Sequence, residues 1–192
     1  VKKDYDQFQI SFAGRGFTTL QIVVVLTIIA ILVGLAVPNL ADMINRERLK
    51  GAAQRAVDEL RVARSVALSQ NKQVFVSYQA GDEQWCYGLD DEAPCSCNLS
   101  NDCAINGGEA IVSHEEFPHI SMPKANFAGG VSYTAFDPVR GTPKDNGARN
   151  GSIWFQAPNG EQISLVLSVP GRIRLCSPTI AGYTTCAAPT LP

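Results

Sequence analysis

Between Gly16 and Ala41 the chain carries no Asp, Glu, Lys or Arg, and Phe17 to Val37 reads FTTLQIVVVLTIIAILVGLAV. A bilayer core about 30 Å thick is spanned by roughly 20 apolar residues in a helix, a length this run supplies. A secretory signal has a shorter apolar region, about 7–15 residues, ending at a small-residue cleavage site. A soluble buried helix would keep a polar stripe, which this segment lacks. The segment therefore reads as a transmembrane helix. Lys2, Lys3 and Arg15 precede it and place its N-terminal side in the cytoplasm, although Arg46 and Arg48 follow soon after.

Beyond Pro38 the pattern becomes periodic. Leu49, Ala53, Ala56, Leu60, Ala63 and Ala67 recur at alternating spacings of four and three residues, one face of an amphipathic helix. Charged residues from Arg46 to Arg64 mostly occupy the other faces. The two patterns join into a helix predicted from Phe17 to about Gln70. Gly34 and Pro38 predict a kink or locally melted turn between them, because proline has no amide hydrogen to donate.

The formal net charge of the 192 residues is -2, a total that hides strong segregation. Residues 73–123 hold nine acidic and no basic side chains, whereas 42–72 hold seven basic against four acidic and 124–192 six basic against three acidic. No bulk attraction to nucleic acid follows from such a total, and the apolar content of 45% excludes a disordered chain. After residue 72, short β-rich runs alternate with turn residues. The strand candidates are 73–79, 84–89, 110–113, 131–136, 152–156, 162–167 and 171–175, with Asn159-Gly160 as a hairpin turn. The fold class expected is α+β, one long helix packed on antiparallel sheet.

Six cysteines in a chain with an exported domain predict disulfides. Cys176 and Cys186 bracket a short tail, and a bridge there holds the C-terminus down. Cys86, Cys95, Cys97 and Cys103 allow three pairings; Cys95 with Cys97 is disfavoured by geometry, and the sequence does not choose further. Zinc is the competing use, but no CxxC pair occurs, and His114 and His119 do not have zinc-finger spacing. Calcium spacing is absent from the acidic stretch, as are a P-loop and a recognisable nucleophile context. No cofactor, metal or catalytic activity is predicted.

One C-terminal string has two readings. In Val169-Pro170-Gly171-Arg172-Ile173-Arg174-Leu175-Cys176 a strand sets Arg172 and Arg174 on one face, Ile173 and Leu175 on the other. The plain reading is a half-buried terminal strand with solvated arginines. The functional one is a compact phosphate-binding element, two guanidiniums following a turn. Lys124, Arg140, Lys144 and Arg149 widen the basic surface if their loops converge.

Gly16-Phe17-Thr18-Thr19-Leu20-Gln21, the short basic leader, the apolar run and proline twenty-two residues after Gly16 resemble the processing signal of type IV pilins and pseudopilins. The resemblance implies a pilin-like fold divided into leader 1–16, transmembrane and filament-core helix 17–38, and periplasmic globular domain 39–192. It implies cleavage between Gly16 and Phe17 by prepilin peptidase, N-methylation of Phe17, and assembly with major and minor pilins through the helix from the inner membrane, with Pro38 and Gln21 as assembly residues. Gln21 stands where the family ordinarily has glutamate; an amide can hydrogen-bond a neighbouring amine but not neutralise it, which suits a minor subunit at a special position. Gly171-Arg172-Ile173-Arg174 before Cys176 resembles the signature of the FimT/FimU/GspH-like group. By that resemblance Arg172 and Arg174 contact phosphates of double-stranded DNA and Gly171 permits the turn. A GspH-like pseudopilin of type II secretion is the alternative role.

Overall fold

The computed structural model describes residues 16, 18–145 and 147–186, the side chains of 35–39 excepted. The chain divides into two compact units between Leu40 and Ala41. Helix α1, Thr19–Gln70, contributes to both.

In the first unit Thr18 caps α1, its hydroxyl accepting the Gln21 amide at 3.3 Å while its carbonyl accepts the amides of Gln21 and Ile22. That cap satisfies donors which the first helical turn leaves without a partner. Side chains from Leu20 to Val33 are exposed on every side of the helix, Leu20 to 73%. Among the described residues no helix is long and apolar enough to cross a membrane; the side chains of residues 35–39, which complete the span read from the sequence, lie outside the described set. The helix is assigned without a break through residues 34–38, so the locally melted turn expected there is absent. Proline at 38 removes one backbone donor from the helix without ending it. Residues 1–15, which hold most of the expected leader, and Phe17 lie outside the described residues.

In the second unit the helix buries Leu49, Ala52, Ala53, Ala56, Val57, Leu60, Ala63 and Ala67, the predicted face with Ala52 and Val57 added. Five of these eight are alanine. Small side chains on the helix leave room for Tyr87, Phe136 and Phe155, which fill the same core cluster from the strands, and for Trp85, which fills it from the residue just before a strand. Packing to interior density requires that match of small against large.

The strands are β1 (Val74–Gln79), β2 (Cys86–Asp90), β3 (Ala104–Ile105), β4 (Gly108–Glu109), β5 (Ile111–Ser113), β6 (Ser121–Phe127), β7 (Tyr133–Phe136), β8 (Gly151–Gln156), β9 (Gln162–Leu167) and β10 (Ile173–Cys176). They form two four-stranded antiparallel sheets, β5-β2-β1-β7 and β10-β9-β8-β6, beside the β3-β4 hairpin. The fold is α+β, with the sheet divided in two where one was expected. Strand β6 is absent from the sequence reading because Pro123 and Lys124 interrupt its pattern. The structure tolerates proline there because β6 is a sheet edge, with a register shift between Ser121 and Lys124. Glycine is required at 151, where a Cβ would sit 2.7 Å from the Phe127 Cα across the strand pair.

All six cysteines are bridged: Cys86 to Cys97, Cys95 to Cys103 and Cys176 to Cys186. These bridges leave no thiolate for the zinc alternative. Acidic side chains shape the disulfide loops. Asp90 accepts the amides of Glu92, Ala93 and Ala104, Asp102 accepts that of Ser96, and Glu109 that of Asn101.

Candidate functional site

The candidate residues fall in two places. Near the N-terminus, Gly16 is exposed, and Gln21 sits in the first turn of α1 with an exposed side chain. Phe17 and the side chain of Pro38 lie outside the described residues.

The second place is the corner where the β9-β10 hairpin meets the loop after β7. Ser168 and Arg172 pair across a three-residue turn: the Ser168 amide donates to the Arg172 carbonyl at 3.0 Å, and the Gly171 amide to the Ser168 carbonyl at 2.8 Å. Gly171 has φ +80, the left-handed conformation that a bulge following such a turn requires. Arg172 and Arg174 are exposed, while Ile173 and Leu175 are half-buried between them. This is the alternation read from the sequence. The tail beyond β10 folds back: Cys176 bridges Cys186, the Ser177 amide donates to the Thr184 carbonyl, and Ile180 is buried.

The loop after β7 is wound around Asp137. Its carboxylate accepts the amides of Val139 and Arg140 at 2.9 and 2.8 Å, and those two bonds hold its pKa below the usual aspartate value. Gly141, at φ +60, then turns the chain toward Gly171. Arg140 is exposed beside it. A residue the sequence reading passed over joins the two turns. Arg64 of α1 donates from Nη1 to the Gly171 carbonyl at 3.2 Å. In sequence Arg64 is one of several polar fillers of the helix; its position next to buried Ala63 was the available signal.

Of the other basic residues, Lys144 is exposed and lines one pocket with Asp137, whereas Arg149 and Lys124 do not widen this corner as expected. Arg149 turns inward, donating to the Ala128 carbonyl at 3.0 Å, pairing with Asp145 at 3.5 Å and lying over the Tyr133 ring. Burial of the guanidinium among these acceptors withdraws it from the surface. Lys124 is on β6, the opposite edge of the sheet from β10, three strand spacings or about 14 Å away. Among the described residues no cluster of His, Cys, Asp and Glu could hold a metal ion.

A family model described as type II transport protein GspH matches residues 52–186. Among solved structures, the type IV minor pilin FimU of Pseudomonas aeruginosa aligns at 19% identity and TM-score 0.44, over 70% of this chain and 95% of that one. A second crystal form of FimU gives 18% identity and the same score, over 68% and 98%. The minor pseudopilin EpsH from the type 2 secretion system of Vibrio cholerae aligns at 11% identity and TM-score 0.45, over 69% and 99%. No curated protein sequence matches.

Proposed function

We propose a function for a chain that belongs to the family of the type II transport protein GspH: it is a minor type IV pilin that primes or joins pilus assembly and binds double-stranded DNA through Arg172 and Arg174. The supporting observation is the pairing of an uncharged helical segment with exposed apolar side chains on every face and a domain whose terminal edge strand presents two arginines free of ion pairs among the described residues. The first needs lipid or the helices of other subunits to cover it. The second is suited to phosphate oxygens, which arginine holds by charge-assisted bonds.

In this reading residues 1–16 are a leader removed by prepilin peptidase between Gly16 and Phe17, and the new Phe17 amine is methylated. Residues 17–38 anchor the chain in the inner membrane and enter the filament with other pilins, while 39–192 lie in the periplasm. Mass spectrometry of the mature chain tests processing: the expected product starts at Phe17 with one added methyl group, and a product retaining residues 1–16 refutes it. A GspH-like pseudopilin of type II secretion remains the second role, since the family model carries that description. Deleting the gene and measuring twitching, DNA uptake and exoprotein secretion together separates the roles. Loss of secretion alone overturns the pilus assignment.

A further inference from the structure

We propose that the phosphate-binding surface extends beyond the motif, with Arg140 as a third direct contact and Arg64 as the positioning residue that holds the two turns in register. This rests on the DNA-binding reading above. The first observation is the distribution of unpaired cations. Among the described residues, Arg46, Lys50, Arg55, Arg61, Lys72 and Arg149 are in ion pairs. The lysines and arginines outside that set are Arg48, Arg64, Lys124, Arg140, Lys144, Arg172 and Arg174; of these, Arg64, Arg140, Arg172 and Arg174 lie on or beside the two turns, and Lys144 lies on the Asp137 side of the loop after β7.

The second observation is the closeness of the turns. A Cβ on Gly171 would lie 2.9 Å from the Gly141 carbonyl oxygen and 3.4 Å from Arg64 Nη1. A Cβ on Gly141 would lie 2.9 Å from Arg64 Nε and 3.0 Å from Leu68 Cδ1. The Arg64 guanidinium thus packs against both glycines while bonding the carbonyl of one of them. Arg140 and Arg172 each adjoin one of these glycines, so chain geometry keeps their Cα atoms within about 14 Å. Asp137, the acid of this corner, is tied to backbone amides and forms no ion pair with the arginines.

Division of labour follows from exposure. Arg140, Arg172 and Arg174 are exposed and available to an external anion; Arg64 is half-buried and committed to the Gly171 carbonyl. Exposed guanidiniums match phosphate oxygens, which receive most protein contacts to a duplex, so the phosphates of double-stranded DNA are the ligand proposed.

The test uses the full chain in detergent micelles and a fluorescent DNA duplex, with affinity measured across a salt series. Three phosphate contacts predict a slope of log affinity against log salt of about -2.7, Arg140→Ala about -1.8, and Arg172→Ala with Arg174→Ala about -0.9. Arg48→Ala, outside the corner, should match wild type. Arg64→Lys keeps the charge but loses the planar fork, so it should weaken binding several-fold at unchanged slope and speed amide hydrogen exchange at residues 168–172. A wild-type slope for Arg140→Ala, or wild-type exchange for Arg64→Lys, overturns the inference while the motif reading stands. No duplex binding by the wild-type chain overturns both.

Discussion

Replacing Gly171 by alanine isolates the constraint on which the C-terminal corner depends. Two costs are legible. Gly171 has φ +80, a conformation that costs an ordinary L-residue about 1–2 kcal/mol. Its new Cβ would also stand 2.9 Å from the Gly141 carbonyl oxygen, a backbone atom that moves only if the loop after β7 moves. Overpacking of this kind costs about 1–3 kcal/mol. Together they give about 2–5 kcal/mol, or roughly 5–15 °C in the melting temperature of a domain this size. Gly160 is the internal control: it has φ +82 but nothing within 4 Å of the point a Cβ would occupy, so Gly160→Ala should cost only about 1–2 kcal/mol. Thermal unfolding followed by circular dichroism, with disulfides intact, reads both. If Gly171→Ala is no more destabilising than Gly160→Ala, the close approach of the two turns is not a constraint and does not hold the arginines of the corner together.

Further consequences are separable. Replacing Cys176 and Cys186 together by serine opens a loop of sequence separation 10 and should cost about 2–3 kcal/mol, read as a lower denaturation midpoint; an unchanged midpoint contradicts the tail's role. Arg46 donates to both Glu161 carboxylate oxygens and holds that pKa below its ordinary 4.5, so the pair stabilises the fold above that pH and ceases to do so as pH falls through the lowered value. The melting-temperature gap between wild type and Glu161→Gln should therefore be largest near neutrality and close in acid; a gap constant with pH denies the linkage. Tyr87 is fully buried with its hydroxyl unbonded among the described residues, and burial pushes its pKa well up. Tyr87→Phe should raise stability by about 1 kcal/mol, and a loss of that size instead would reveal a hydrogen bond to that hydroxyl. Asp90→Ala removes an acceptor shared by three amides and should cost about 1–3 kcal/mol with little effect on DNA affinity; tighter DNA binding would mean that the acid repels the ligand.

Legibility in the sequence follows the range of the interactions. The helical stripe from Leu49 to Ala67 and the alternation through Arg172 to Leu175 repeat along the chain, so they can be read from neighbours alone. Strand β6 cannot, because Pro123 and Lys124 look like a strand breaker until the edge position is known. β3 and β4, two residues each, are too short for a period. The cysteine pairing depends on loops that Asp90, Asp102 and Glu109 bend through their backbone bonds, which no spacing rule encodes. Arg64 is harder still: its role exists only because two glycine turns, at 141 and 171, meet over one point of the helix. Equally, nothing in the sequence distinguishes Arg149, drawn inward by Tyr133 and Asp145, from Arg140, left outside.

The same distinction explains how a chain with more acids than bases can present a cationic site. Formal charge counts side chains, whereas an approaching phosphate meets only those charges that the fold leaves uncommitted. Asp90, Asp102 and Glu109 point at backbone amides, and Asp91 at Lys72, so much of the acidic stretch is used within its own loops. Those loops adjoin β2 and β5 at one side of the first sheet, while the arginine corner lies between β10, the edge of the second sheet, and the loop after β7, the opposite edge of the first. At physiological ionic strength a charge is screened beyond about 8 Å, so the corner's local potential is set mainly by the arginines, Lys144 and Asp137. A ligand held there should be released by added salt rather than by neutralising the distant acids, because the corner's attraction arises from cations without ion-pair partners and not from the sign of the whole molecule.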